Sequence, residues 1–164
     1  MSRFPTFKAI IFDFGGVLVR GSPVGYNPKE KNQVPADHIM PGVRRVIPRL
    51  SKEWRLAIVT GASKQRLSRD WPPELAKYFE TIITREQIAV PKPAPDGLLL
   101  ACERLGLKPE QAAYVGDADS DMACAKNAKM TAIGVVTGDF TADSLRHAGA
   151  DRIIRSLDEL LELD

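Results

Sequence analysis

The sequence predicts an α/β fold: an open, parallel sheet with helices on both faces, in three layers. Three observations indicate this. Strand-like and helix-like segments alternate along the chain. The strand-like segments are continuous apolar runs, as expected for parallel strands covered on both faces. The 164 residues, 44% hydrophobic and 27% charged, suit a soluble globular protein with a sizeable core. We expect one domain over residues 1–164.

Six segments rich in β-branched and other apolar residues are predicted to be strands. The last of them is the weakest, because it is short and flanked by arginines. They are residues 8–13, 55–60, 81–84, 112–117, 131–137 and 151–155.

Four segments between these strands have helical spacing of apolar residues. The first contains Pro48, which we expect to disturb it, and the second ends at Gly106, a residue suited to a helix C-terminus. The predicted helices are residues 41–53, 96–107, 120–130 and 157–163.

One segment, residues 20–40, breaks the alternation, because it is polar, rich in proline and glycine, and without a clear period. It is too short to form a helical domain. We predict a short flap beside any site at this edge of the sheet. Tyr26 and His38 are its candidate substrate-contacting residues.

Composition argues against several partners. The net charge of +2 gives no reason to expect a nucleic acid or an anionic membrane, and no run approaches the roughly 20 apolar residues of a membrane span. Cys102 and Cys124 lack metal-ligand spacing and are interpreted as small buried thiols, which suits a reducing cytoplasm. The densest basic stretch, interpreted as a solvated face, comprises Arg44, Arg45, Arg49, Lys52 and Arg55.

Residues whose side chains could take part in binding or catalysis lie where the predicted strands end. Asp13 ends the first strand, Thr60 and Gly61 the second, and the acidic loop 116–121 the fourth, while Lys92 lies in a proline-rich stretch before a helix. Singly, an Asp or Thr here is often a helix cap, and such a Lys is usually solvated. Because ligands of open α/β sheets bind at the carboxyl ends of the strands, we expect the four groups to converge.

These residues carry a family resemblance. The stretches "FDFGGVL", "VTGAS", "PKPAP" and "VGDADSDMACAKNAKM" resemble the motifs of the haloacid dehalogenase-like hydrolase superfamily. The C-terminal remainder resembles its phosphoglycolate-phosphatase-like branch. The likeness covers residues 8–19 and about 41–163, and its most specific part is the acidic loop. It implies a Rossmann-like core and a phosphatase acting on phosphorylated substrates.

The resemblance also implies roles. Asp13 would be the nucleophile and form an aspartyl-phosphate that water then hydrolyses. Thr60 and the amide of Gly61 would bind phosphoryl oxygens, and Lys92 would neutralise charge on both phosphate and nucleophile. Mg²⁺ would be the cofactor. Its implied ligands are the carboxylates of Asp13 and Asp117, the carbonyl of Gly15, and Asp121 either directly or through water.

The sequence departs from the family at Gly15, where most phosphatases of the superfamily carry a second aspartate as general acid–base. Such help is worth roughly 10²–10⁴-fold in rate. Asp119, His38, Tyr26 or a metal-bound water could replace it, although we expect Asp119 to make local hydrogen bonds instead.

The second departure is that the 20–40 flap stands where relatives insert a larger cap. An open site would accept large substrates or be covered by another copy of the chain. Phosphatase activity is the leading hypothesis. The alternatives are a catalytically weak domain that binds phosphate or protein in a regulatory role, and a metal-independent dehalogenase. The dehalogenase ranks low, because such an enzyme has no need of the acidic loop.

Overall fold

A computed structural model describes residues 6–21 and 38–163 and confirms the α/β fold. Six parallel strands form one sheet in the order β3-β2-β1-β4-β5-β6. All six predicted strands are confirmed, with ends one or two residues shorter than expected. Their bounds are β1 Ala9–Phe12, β2 Arg55–Val59, β3 Thr81–Ile83, β4 Ala112–Gly116, β5 Thr131–Val135 and β6 Arg152–Ile154.

The strand order creates a crevice between β1 and β4. From β1 the chain proceeds outward to β2 and β3, then crosses back to β4 and continues outward on the other side. The connections that follow β1 and β4 leave in opposite directions. The space between the carboxyl ends of these two strands is therefore left uncovered. This is the switch point at which open parallel sheets bind ligands.

The residues of β1 show why the sheet is covered on both faces. All four side chains are fully buried, and they alternate between two separate hydrophobic clusters. Ile10 and Phe12 pack in the first cluster, and Ala9 and Ile11 pack in the second. The result is the three-layer arrangement that the apolar runs predict.

Three of the predicted helices are confirmed, with shorter bounds. The first predicted helix continues through Pro48, and the second ends at Gly106 in the left-handed conformation (φ 62°). Three short helices that the sequence analysis did not predict are also present. The six α-helices of the described residues are α1 Val43–Leu50, α2 Lys64–Asp70, α3 Pro73–Ala76, α4 Asp96–Leu105, α5 Asp119–Asn127 and α6 Ala142–His147.

The unpredicted helices are too short and polar to show a clear apolar period. Two of them begin at side chains that cap them: the Ser63 hydroxyl accepts from the Arg66 amide at 3.1 Å, and the Thr141 hydroxyl accepts from the Ser144 amide at 3.1 Å. These N-cap residues are the local signal that could have revealed α2 and α6.

The predicted helix 157–163 is wrong in type, because the segment Leu157–Glu162 forms a 3₁₀-helix. Its buried residues Leu157 and Leu160, and Leu163 directly after it, are spaced three apart. A 3₁₀-helix, with three residues per turn, places all three on one side, whereas an α-helix would spread them. The spacing of the buried leucines therefore decides the conformation.

The segment predicted as a flap lies largely outside the described residues, and so does Tyr26. Its two described ends are held together. Val19 and Ile39 form an antiparallel bridge, the Arg20 amide donates to the His38 carbonyl at 2.8 Å, and the Met40 amide donates to the Leu18 carbonyl at 2.9 Å. The chain therefore leaves and returns at the same place, just beyond β1.

Two further sequence interpretations can be compared with the structure. Cys102 and Cys124 are buried free thiols, as predicted. The basic stretch is partly neutralised by other elements: Arg44 pairs with Glu74, Arg45 with Asp158 and Arg55 with Glu80. In the described part of the chain, every helix is too short or too polar to cross a bilayer.

Candidate active site

The crevice between β1 and β4 begins with two aspartates. Asp13 directly follows β1, and Asp117 directly follows β4. The Asp13 amide donates to the Val115 carbonyl at 2.9 Å, which extends the pairing of the two strands to the crevice itself. Residues far apart in sequence thus meet because their strands are neighbours.

Three carboxylates converge there. Ligand-capable oxygens of Asp13, Asp117 and Asp121 all lie within 4.8 Å of one another. Asp13 is 7% exposed and Asp121 is fully buried. Clustered carboxylate oxygens of this kind suit a hard divalent cation.

The clustering makes ionisation costly. Burial raises the pKa of Asp13 to about 7, and the nearby charge of Asp121 adds to the increase. Burial, with Asp121 as the second cause, raises the pKa of Asp117 to about 6. A protein with this cluster gains stability from any cation that neutralises it.

Lys92 supplies a cation from within the chain. Its Nζ lies 3.2 Å from Asp13 Oδ2 and 2.5 Å from Asp121 Oδ1. Burial by itself lowers the pKa of Lys92, but the carboxylates of Asp13 and Asp121 outweigh it and hold the pKa above its ordinary value. The ammonium stays charged and pairs with Asp13 at the end of β1 and with Asp121 in α5.

Both carboxylate oxygens of Asp121 accept hydrogen bonds. Its Oδ2 accepts from the amides of Asp117 at 3.1 Å and Ala118 at 3.0 Å, and its Oδ1 accepts from Lys92 at 2.5 Å and the Tyr114 hydroxyl at 3.4 Å. These four donors hold the acidic loop and Lys92 in place. Asp121 therefore organises the site, whatever else it binds.

Thr60 and Gly61 directly follow β2 and lie on one side of Asp13. The loop of Asp117, which follows β4, lies on the other side. Thr60 is 3% exposed, and its hydroxyl oxygen accepts from the Ala62 amide at 3.0 Å, which leaves the hydroxyl proton available for a ligand. Thr60, Gly61 and Lys92 line one cavity of about 350 Å³. Donors and a cation thus face the same space.

The two glycines after Asp13 have different reasons to be glycine. Gly16 has φ 80°, and a Cβ there would lie 2.0 Å from Asp117 Oδ2. Gly15 is outside the left-handed region, and the nearest atom to a Cβ there would be Arg66 Nη2 at 3.3 Å. Only Gly16 is required by the close approach of a carboxylate.

Two of the residues considered as substitutes for the missing acid are already engaged. Both carboxylate oxygens of Asp119 accept from the Ser144 hydroxyl, at 2.6 and 2.7 Å, so its hydrogen-bond partner lies on α6, whereas the sequence analysis expected a local one. His38 Nε2 lies 2.6 Å from the Asp70 carbonyl oxygen and donates to it. Tyr26 lies outside the described residues.

Sequence reasoning missed three residues at the site. The Tyr114 hydroxyl contacts Asp121 from within β4, the Thr137 hydroxyl donates to the Gly16 carbonyl at 2.5 Å, and Arg66 reaches Gly15 from α2. Thr137 follows β5, so attention to every strand end would have found it. The sequence carried no signal for the other two residues. Tyr114 lies in an apolar run typical of a buried strand, and Arg66 belongs to a helix that was not predicted.

Comparison with known proteins finds a matching family model and similar proteins. A family model described as haloacid dehalogenase-like hydrolase matches residues 25–135. Phosphoglycolate phosphatase of Escherichia coli strain K12 is 35% identical over 88 residues, which are 54% of this chain and 35% of that protein. The match thus spans about a third of the length of this curated relative.

Solved structures share the fold. A predicted phosphoglycolate phosphatase from Haemophilus somnus has a TM-score of 0.81 at 17% identity, covering 97% of this chain and 98% of that one. A haloacid dehalogenase-like hydrolase from Streptococcus pneumoniae has a TM-score of 0.74 at 19% identity, covering 96% and 98%. At such identities the similarity shows the fold alone.

The two glycines provide a matched pair of variants. Gly16→Ala is expected to displace the Asp117 carboxylate, lower the free energy of unfolding by about 1–3 kcal/mol and weaken divalent-cation binding. Gly15→Ala should change stability by less than about 1 kcal/mol, because only the end of a flexible side chain is near. Urea unfolding and calorimetric titration with Mg²⁺ would measure both effects, and equal losses in the two variants would contradict this account of Gly16.

Proposed function

This chain belongs to the haloacid dehalogenase-like hydrolase family, and on that premise we propose that it hydrolyses phosphate monoesters with Asp13 as nucleophile. The observation that carries the proposal is the contact of Lys92 with Asp13 at 3.2 Å inside a cluster of three carboxylates. A buried nucleophile, a fixed cation and a metal-capable site within one crevice suit phosphoryl transfer.

Mg²⁺ fits the residues present. The donor set consists of oxygens, which Mg²⁺ prefers, and the raised pKa of Asp13 and of Asp117 shows that the cluster favours added positive charge. We assign Asp13, the Gly15 carbonyl and Asp117 as the groups that hold it, with Asp121 contributing through a water. When bound, Mg²⁺ neutralises charge between the carboxylate nucleophile and the phosphoryl group.

The residues divide the reaction between them. An oxygen of the Asp13 carboxylate attacks phosphorus, the bond to the leaving oxygen breaks, and water then hydrolyses the aspartyl-phosphate. The Phe14 amide donates to Asp13 Oδ1 at 2.7 Å and so orients the carboxylate. Thr60 and the Gly61 amide bind phosphoryl oxygens, while Lys92 offsets negative charge on phosphate and nucleophile.

Substrate and setting are part of the proposal. The curated relative is named a phosphoglycolate phosphatase, and we infer phosphorylated metabolites as the substrate class. Either the substrate itself or a second copy of the chain would cover the site. Two buried free thiols suit a reducing compartment such as the cytoplasm.

A second candidate function is favoured by one observation. Gly15 cannot transfer protons, and Asp119 and His38 are both engaged elsewhere. A catalytically weak domain that binds phosphate for regulation would have this combination. Phosphate binding without turnover of alkyl, aryl or acyl phosphates, with or without Mg²⁺, would favour it. The dehalogenase alternative is disfavoured, because a metal-independent dehalogenase would not need the carboxylate cluster.

Asp13→Asn tests the nucleophile. We expect kcat/KM to fall by more than about 1,000-fold, while the melting temperature without Mg²⁺ stays the same or rises, because a buried like charge is removed. Asp143→Asn, on an exposed helix residue, is the control for loss of one charge. Retention of more than a few per cent of activity would remove Asp13 as the nucleophile.

Mg²⁺ binding should depend on pH. Without metal, Asp13 and Asp117 hold protons up to about pH 7 and 6, whereas in the unfolded chain they release them near pH 4. Metal-free stability should therefore fall as the pH rises through this window. The increase in melting temperature caused by Mg²⁺ should be larger at pH 8 than at pH 5.5, and a pH-independent increase would contradict binding at these carboxylates. Asp117→Asn should lose most of the effect.

Gly15 should make the rate depend on the leaving group. Aryl and acyl phosphates leave as stable anions, so we expect them to react at least about 100-fold faster than alkyl phosphates. Gly15→Asp should raise alkyl rates most, and its backbone is compatible with a side chain. Pairing of the new carboxylate with Arg66 would keep it ionised, so Gly15→Asp with Arg66→Met should gain more. Similar alkyl and aryl rates in the natural protein would show that a substitute acid exists.

A further inference from the structure

The carboxylate of Asp117 lies against two glycines that come from different loops. One is Gly16, in the loop after β1 (residues 13–19), where a Cβ would be 2.0 Å from Asp117 Oδ2. The other is Gly138, in the loop after β5 (residues 136–141), where a Cβ would be 3.1 Å from the same oxygen. The backbones of both loops thus approach one carboxylate oxygen, and the relative position of the loops limits where that oxygen can lie.

The side chain of Thr137 joins these two loops. Its hydroxyl donates to the Gly16 carbonyl at 2.5 Å, and in the described part of the chain no other hydrogen bond connects them. The residues around Thr137 are attached to the sheet: the Val136 amide donates to the Ile154 carbonyl on β6 at 2.9 Å, and the Thr137 amide donates to the Val135 carbonyl at 3.1 Å. The hydroxyl is therefore presented from a fixed backbone.

The same hydrogen bond bears on the carbonyl of Gly15. The Gly15 carbonyl and the Gly16 amide belong to one planar peptide group, so the contacts of Gly16 set the direction of that carbonyl. The Gly16 amide donates to the Val19 carbonyl at 2.8 Å, and the Gly16 carbonyl accepts from Thr137. Gly16 is thus held on both sides, in a left-handed conformation with φ 80°.

We propose that Thr137 is a positioning residue for the divalent cation: through Gly16 it fixes both the Gly15 carbonyl and the Asp117 carboxylate. This inference rests on the Mg²⁺ assignment within the proposed function, and it adds a residue from β5, whose end carries none of the assigned ligands. Groups that orient metal ligands typically contribute about 10- to 100-fold in metal affinity. Because Thr137 is exposed, its hydroxyl should matter little for folding.

The test removes the hydroxyl and keeps the branched shape of the side chain. Thr137→Val should weaken Mg²⁺ binding, measured by calorimetric titration, by about 10- to 100-fold. Its melting temperature without metal should change by less than about 4 °C. Thr137→Ser, which retains a hydroxyl, should keep most of the affinity. Thr131→Val, at the opposite end of β5, is the matched control and should bind Mg²⁺ as the natural protein does.

The binding results separate this inference from the proposed function. Equal Mg²⁺ affinity in Thr137→Val and the natural protein would overturn the inference and leave the phosphatase proposal intact. The same holds if Thr137→Val lowers the metal-free melting temperature strongly without changing the affinity, because Thr137 would then have a merely structural role. If the natural protein bound no Mg²⁺, the metal assignment and this inference would both be wrong.

Two further measurements assign the effect to positioning through Gly16. The Mg²⁺ concentration for half-maximal hydrolysis of an aryl phosphate should rise in Thr137→Val, while kcat at saturating Mg²⁺ stays within about threefold of the natural value. A loss of kcat that excess Mg²⁺ does not restore would overturn a positioning role. The effects of Thr137→Val and Gly16→Ala on Mg²⁺ affinity should be less than additive in the double variant, and full additivity would overturn the route through Gly16.

Discussion

The Lys92 ammonium lies 3.2 Å from Asp13 and 2.5 Å from Asp121, and without it three carboxylates would share a buried crevice uncompensated. Burial and mutual repulsion still hold the pKa of Asp13 near 7. The site is therefore assembled against an electrostatic cost that Lys92 offsets only in part. That remaining imbalance would favour the binding of a divalent cation.

The fold satisfies this constraint through close packing at the strand ends. Asp121 is held by two backbone amides, Lys92 and the Tyr114 hydroxyl. Its side chain comes so close to Gly116 that a Cβ there would be 2.3 Å away. Gly16 likewise leaves the space that the Asp117 carboxylate occupies. The carboxylates are thus held both by close contact with the backbone of these glycines and by hydrogen bonds and ion pairs of their own. These contacts limit how far the carboxylates can move apart.

The two sides of Asp13 differ in chemistry. Towards β2, a buried hydroxyl and Lys92 offer short, fixed donors suited to one compact anion. Towards Gly15, the cavity of about 570 Å³ is larger and is lined by both charges, Arg20 and Arg66 as well as Asp117 and Asp139. Gly15 stands where the family resemblance predicts an acid, and the guanidinium of Arg66 lies near it.

The sequence alone determined the six strands and placed Asp13, Thr60, Lys92 and Asp117 at one edge, because apolar runs and strand-end positions are local patterns and parallel strands align their carboxyl ends. It could not reveal the 3₁₀-helix at Leu157–Glu162, whose form depends on which leucines meet the core. Nor could it reveal why Gly16 is glycine or that Arg66 lies beside Gly15. Those facts are distances of 2.0 and 3.3 Å between a glycine's Cβ position and a distant side chain, and only the packing of α2 and the acidic loop against the end of β1 decides them.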